Sequence, residues 1–155
     1  SRYAFEAEPS PGHTGANTPL PSGDDVRAVS IDSEKYAVAI SIGDYHLISD
    51  VGPDEGGRDL GPNPTRILEA ALAACSVMTA EMYARRKGWD LEAVEVRVRP
   101  DPESEGHIPK FLEKRAQFTG NLDEAQLTRL KEIISHCPVH GMLESGVDIE
   151  FREED

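Results

Sequence analysis

Cysteine is almost absent from this chain. Two occur among 155 residues, Cys75 and Cys137. With no second pair, the Cys137, His136 and His140 cluster is too small a donor set for a zinc centre, so no metal is expected. Basic residues are also scarce. Sixteen Lys and Arg stand against 29 Asp and Glu, a formal net charge of −13. That balance argues against nucleic acid, whose phosphates need a basic face, and against docking on anionic lipid. No apolar run approaches the length of a membrane span, and the N-terminus lacks a basic-then-apolar signal pattern. A cytoplasmic location is expected, where thiols stay reduced unless they do redox work. There is no Walker lysine and no strand-to-helix glycine fingerprint, so Gly56-Gly57 is a turn rather than a phosphate cradle. No internal repeat is present, and no cofactor is expected.

What is present is enough chain for one domain with a real core. Residues 1–24 read as an extended arm, because Pro9, Pro11, Pro19, Pro21, Gly12, Gly15 and Gly23 interrupt every period. Tyr3 and Phe5 could pin its start; a disordered tail is the plainer reading. Residues 25–155 form the domain. Val26 to Ile31 suits a strand. Tyr36, Val38, Ile40 and Ile42 alternate with smaller residues, which predicts a strand with one buried face. Gly43-Asp44 links it to Tyr45-His46-Leu47-Ile48 as a hairpin. Asn63-Pro64 is an N-cap with proline in the first helical position, and Gly88 supplies the stop of a long helix. Val94, Val96 and Val98 mark a fourth strand. Ile108, Leu112, Ala116 and Phe118 mark a fifth, less cleanly. Asp123 with Gln126 forms a capping box that opens a second main helix. Val147, Ile149 and Phe151 alternate as a last strand. The order β-β-β-α-β-β-α-β is an antiparallel α+β plan.

Both cysteines fall on helical apolar stripes. Leu68, Ala71, Leu72, Met78, Thr79 and Met82 share a face with Cys75. Leu127, Leu130, Ile134 and Cys137 are spaced by three, four and three. If the two stripes pack on one sheet or on each other, the sulfurs can approach as a reactive pair. Cysteine also serves as a small buried hydrophobe, and local sequence alone does not distinguish the two. Cys75 lies too deep in its helix for the N-terminal dipole to lower its pKa, so a thiolate there needs a cation from elsewhere.

Gly61-Pro62-Asn63-Pro64, the helix ending Ala73-Ala74-Cys75, the run Arg86-Lys87-Gly88-Trp89 and the block Ser135-His136-Cys137-Pro138-Val139-His140 together resemble the OsmC/Ohr family, as a divergent OsmC-like branch. The resemblance spans roughly residues 26 to 152. It implies an intertwined homodimer with the cysteine helices at its centre. It implies a thiol-dependent peroxidase that reduces organic hydroperoxides. Cys75 then matches the attacking cysteine and Cys137 the resolving one, with a small dithiol as reductant. Characterised peroxidases of the family carry a glutamate directly after the helix-opening proline, paired with an arginine near the thiolate. Here that position is Thr65. Arg58, in the Gly56-Gly57-Arg58-Asp59 loop, is the first candidate for the activating arginine, and Arg27 in the first strand is the second. Two other classes remain open: a non-catalytic dimer that binds a hydrophobic small molecule, and a redox-responsive structural dimer.

Overall fold

A computed structural model describes residues 25–104 and 108–153; the predicted arm over 1–24, with Tyr3 and Phe5, lies outside the described residues. The described residues divide into two compact units, with the boundary between Ile67 and Leu68. Among the described residues it is α+β, with two antiparallel sheets and three α-helices.

The first unit is a meander. Strands β1 (Val26–Ser30), β2 (Val38–Ile42) and β3 (Tyr45–Ser49) pair in sequence order. The hairpin sits where expected: Ile42 faces Tyr45 across Gly43-Asp44, and Gly43 takes φ 57, a left-handed value that glycine adopts without steric cost. The expected one-sided burial of β2 is not sharp. Val38 to Ser41 are all half-buried, and Tyr36, Ile42 and Tyr45 stay exposed. Beyond β3 a loop is tied down by one carboxylate. Buried Asp50 accepts hydrogen bonds from the backbone N–H groups of Val51, Arg58 and Leu60. Burial pushes its pKa up, but those donors and the Arg58 guanidinium outweigh it and hold the carboxyl below its ordinary value. Ser49 Oγ donates to the Pro62 carbonyl at 2.8 Å. A Cβ on Gly61 would lie 2.0 Å from the Ile48 carbonyl oxygen, so only glycine fits that turn. The loop delivers Asn63, whose side chain accepts from the Arg66 N–H at 3.0 Å and caps helix α1 (Pro64–Lys87).

The second unit carries most of α1. Gly88, at φ 71, ends the helix, and Trp89 N–H reaches back to the Ala84 carbonyl. Strands β4 (Asp90–Pro100) and β5 (Leu112–Asn121) form a two-stranded antiparallel sheet with Val98 opposite Lys114 and Val96 opposite Ala116. Helix α2 (Glu124–Ile134) opens with the predicted capping box: Asp123 accepts from Gln126 N–H, and the Gln126 side chain accepts from Asp123 N–H. Ala80 and Ala84 of α1 and Leu130 and Ile134 of α2 form the buried core, flanked by Tyr83, Trp89, Val94, Ala116 and Phe118. By length and mean hydropathy (1.3 over an 18-residue window) α1 would suit a membrane span, contrary to the sequence expectation. It is a core helix of its unit: Leu72 is buried, and Ala80 and Ala84 pack against α2.

Three expectations are corrected. The buried residues of α1 are Glu69, Leu72, Ser76, Ala80 and Ala84, one step round the helix from the Cys75 stripe. Leu68, Met78 and Met82 are exposed, at 45%, 55% and 70%. With alanine on every side of the helix, hydropathy does not select a face. Second, Cys137 does not close α2. It is the N-cap of a further helix, α3 (Pro138–Ser145), because Pro138 lacks the N–H needed to extend α2 but suits a first turn. Third, the last strand is absent among the described residues. Val147, Ile149 and Phe151 alternate, yet nothing pairs with them and all three are exposed. A strand needs an edge as well as a pattern.

Candidate functional site

The second unit brings the two cysteines together. Both are free thiols; Cys75 is half-buried and Cys137 has no exposed surface. Each is positioned for a local reason. Cys75 is the twelfth residue of α1, at the start of its fourth turn, beside the buried stripe. Cys137 is drawn inward because the α2 stripe through Leu130 and Ile134 continues across the turn at Ser135-His136. Its extended backbone (φ −65, ψ 153) then places its sulfur over the first turn of α3.

Four groups surround the Cys137 sulfur. The backbone N–H of His140, the Ser76 hydroxyl, the Cys75 thiol and the Lys114 ammonium all act on it. Ser76 Oγ lies 3.6 Å from Sγ. Burial pushes the Cys137 thiol up. The His140 N–H, then Ser76, Cys75 and Lys114, outweigh burial and leave it below its ordinary value.

Lys114 is the residue that sequence reasoning missed. It sits on β5, and its three ammonium donors find three acceptors: Ser76 Oγ at 3.1 Å, the Ile134 carbonyl at 2.5 Å and His140 Nδ1 at 2.8 Å. Because Nδ1 accepts from the ammonium, the proton of neutral His140 is on Nε2, which donates to Glu144 Oε2 at 3.0 Å. Burial pushes the Lys114 pKa down, while Cys137, Cys75 and Glu144 oppose the drop without cancelling it. The signal was available. Leu112, Ala116 and Phe118 alternate inward, and the same period places Lys114 on the inner face between them.

Arg58 and Arg27 belong to the first unit. Arg58 contacts the carboxylates of Asp32 at 3.5 Å and Glu34 at 4.0 Å. Arg27 lies on β1 opposite Ser41. Thr65 Oγ1 donates to Asn63 Oδ1 at 2.8 Å, so the residue at the family's glutamate position works in the α1 cap. Among the described residues no group of three or more His, Cys, Asp or Glu side chains is arranged to hold a metal ion.

The chain is α+β, and its second unit sets two free cysteines beside one lysine. A family model described as OsmC-like protein matches residues 56–152, and the chain belongs to that family. Solved structures agree on the fold at low identity. An OsmC-like protein from Mycoplasma pneumoniae is 19% identical, with a TM-score of 0.63 over 80% of this chain and 89% of its own. An organic hydroperoxide resistance protein OsmC from Legionella pneumophila is 21% identical, with a TM-score of 0.53 over 84% and 95%. An organic hydroperoxide resistance protein from Elizabethkingia anophelis is 16% identical, with a TM-score of 0.58 over 79% and 89%. No curated protein matches the chain.

Proposed function

We propose that this protein is a thiol-dependent peroxidase that reduces organic hydroperoxides through the Cys75–Cys137 pair. The observation that carries this reading is the Cys75 thiol acting on a Cys137 sulfur whose pKa is lowered. A thiolate attacks the terminal peroxide oxygen. The O–O bond breaks, the alcohol leaves with a proton, and the sulfur becomes a sulfenic acid. The second sulfur displaces water from it to give a disulfide, which a small dithiol reduces by exchange. Family membership and the hydroperoxide resistance relatives support the substrate class. The test is steady-state loss of an organic hydroperoxide with a dithiol present. Turnover is expected with cumene hydroperoxide and dithiothreitol. Its absence, with both thiols still free, would refute the reading. A co-purifying apolar ligand in place of turnover would favour the hydrophobic-binding alternative.

The working form is an intertwined homodimer, with α1 at its centre. Two features support this. Helix α1 has a second apolar stripe, Ala71, Ala74, Met78 and Met82, all exposed in the single chain. A helix that is apolar on two faces buries both. The segment Val147 to Phe151 keeps strand alternation with Ile149 91% and Phe151 88% exposed, as a strand awaiting an edge would. Light scattering at micromolar protein is expected to give twice the 17.0 kDa chain mass; a persistent monomer would remove this part of the proposal.

A further inference from the structure

We propose that Lys114, held by Ser76, the Ile134 carbonyl and the His140–Glu144 pair, is the positioning cation that favours the thiolate form of Cys137. The inference rests on the proposed use of the two thiols, but it concerns their ionisation and not the substrate.

A lysine on the inner face of a strand is costly. Its ammonium must leave water, and such a residue is retained only where its hydrogen bonds and charge are matched. Here the hydrogen bonds are matched in full, three donors to three acceptors. Among the described residues the charge is not matched by a salt bridge to Lys114 itself. Glu144 is the carboxylate on this side, and it is reached only through His140; its side chain is 75% exposed, so water screens much of its charge. The groups that face Lys114 are Ser76 and Cys75 from α1, the Ile134 carbonyl from α2, and Cys137, His140 and Glu144 from the turn and helix that follow. Within that set the group that can answer a half-buried ammonium with negative charge is the Cys137 sulfur. Lysine and thiolate therefore stabilise one another. Removing either leaves the other as a partly buried charge without its partner.

Ser76 carries the coupling at close range. Its one hydroxyl proton can go to the Leu72 carbonyl at 2.9 Å or towards Cys137 Sγ at 3.6 Å. With a neutral Cys137 the S–H donates to Ser76 Oγ and the hydroxyl stays on Leu72. With a thiolate the hydroxyl turns to the sulfur. Lys114 donates to the same oxygen in both states, which makes the Ser76 hydroxyl a stronger donor. His140 and Glu144 keep Nδ1 free to accept, so the ammonium is held with its third donor satisfied.

The test reads thiol ionisation directly and needs no peroxide. The pH dependence of thiolate absorbance, and of alkylation by iodoacetamide, is measured on the full chain and on Lys114→Met, Lys114→Gln and Lys114→Arg. Both neutral variants should titrate at higher pH, with alkylation at neutral pH slower by about tenfold for each unit of rise. Lys114→Arg retains the charge and should restore a low titration point. Lys110→Met, at an exposed lysine, is the control. Lys114→Gln keeps amide donors for Ser76 and Ile134, so it remains informative if the Met variant does not fold. A neutral variant that titrates with the unmodified protein overturns the proposal. Loss of peroxide turnover with no change in thiol titration also overturns it, since Lys114 would then act elsewhere. A protein that never turns over peroxide, yet shows the shift, refutes the peroxidase reading and upholds this one.

Discussion

Cys75→Ser is expected to reduce hydroperoxide turnover to background, whereas Cys137→Ser should complete one round of oxidation and then stall. Two considerations pull against each other. Charge favours Cys137, which has the lowered pKa. Access favours Cys75, because Cys137 has no exposed surface and Cys75 is half-buried. Access decides the order of events. A peroxide oxygen must come within bonding distance of the attacking sulfur, and no amount of thiolate compensates for a sulfur that it cannot touch. The proton, by contrast, moves readily between two sulfurs in hydrogen-bond contact. Attack at Cys75 also leaves Cys137 in the role its environment suits. A resolving sulfur whose pKa is lowered condenses more readily with the sulfenic acid, before a second peroxide drives it to sulfinic acid. Mass spectrometry after dimedone trapping checks the assignment. Label should appear on Cys75 in Cys137→Ser, and none on Cys137 in Cys75→Ser. Label on Cys137 in the latter would exchange the two roles.

The parts of the fold that were legible in the sequence are those set by backbone chemistry. Asn63-Pro64 and Gly88 fix the ends of α1 because one supplies a cap and a proline that lacks an N–H, and the other a left-handed turn. Asp123 and Gln126 fix the start of α2 by reciprocal hydrogen bonds. Gly43-Asp44 fixes the β2–β3 hairpin. What was not legible depends on which surface meets which. Alanine on several sides of α1 let Ser76, and not Cys75, take the buried position. The Cys75 thiol still reaches Cys137 from the edge of that stripe. Lys114 was passed over because a lysine is read as solvent-facing by type, although its position in β5 says otherwise. The segment Val147 to Phe151 shows the opposite failure. Its alternation is real, and the missing piece is a neighbouring strand.

Leu130→Ala is expected to destabilise the chain by roughly 2–5 kcal/mol, among the larger effects of any single core truncation. Leu130 is fully buried and sits where α2 meets Ala80 and Ala84 of α1. Those two alanines cannot reach into the space left behind, and Trp89, Phe118 and Leu122 are held by the sheet and its turns. The cavity therefore collapses poorly, which places the cost toward the upper part of the range. The loss should also reach the thiols. α2 carries the Ile134 carbonyl that accepts from Lys114, and the stripe that seats Cys137 runs through Leu130 and Ile134. Urea unfolding should show a lower midpoint with an unchanged slope. Alkylation of Cys137 in the native state should become faster as its cover loosens. Met82→Ala is the informative contrast. Met82 is 70% exposed in the single chain, so truncation there should cost about 0.5 kcal/mol or less unless a partner covers it. If α1 lies at a dimer interface, the Met82→Ala deficit should depend on protein concentration, because the substitution then weakens association. The Leu130→Ala defect should persist at every concentration. A Leu130→Ala midpoint equal to that of the unmodified protein would mean that α2 does not seal this core.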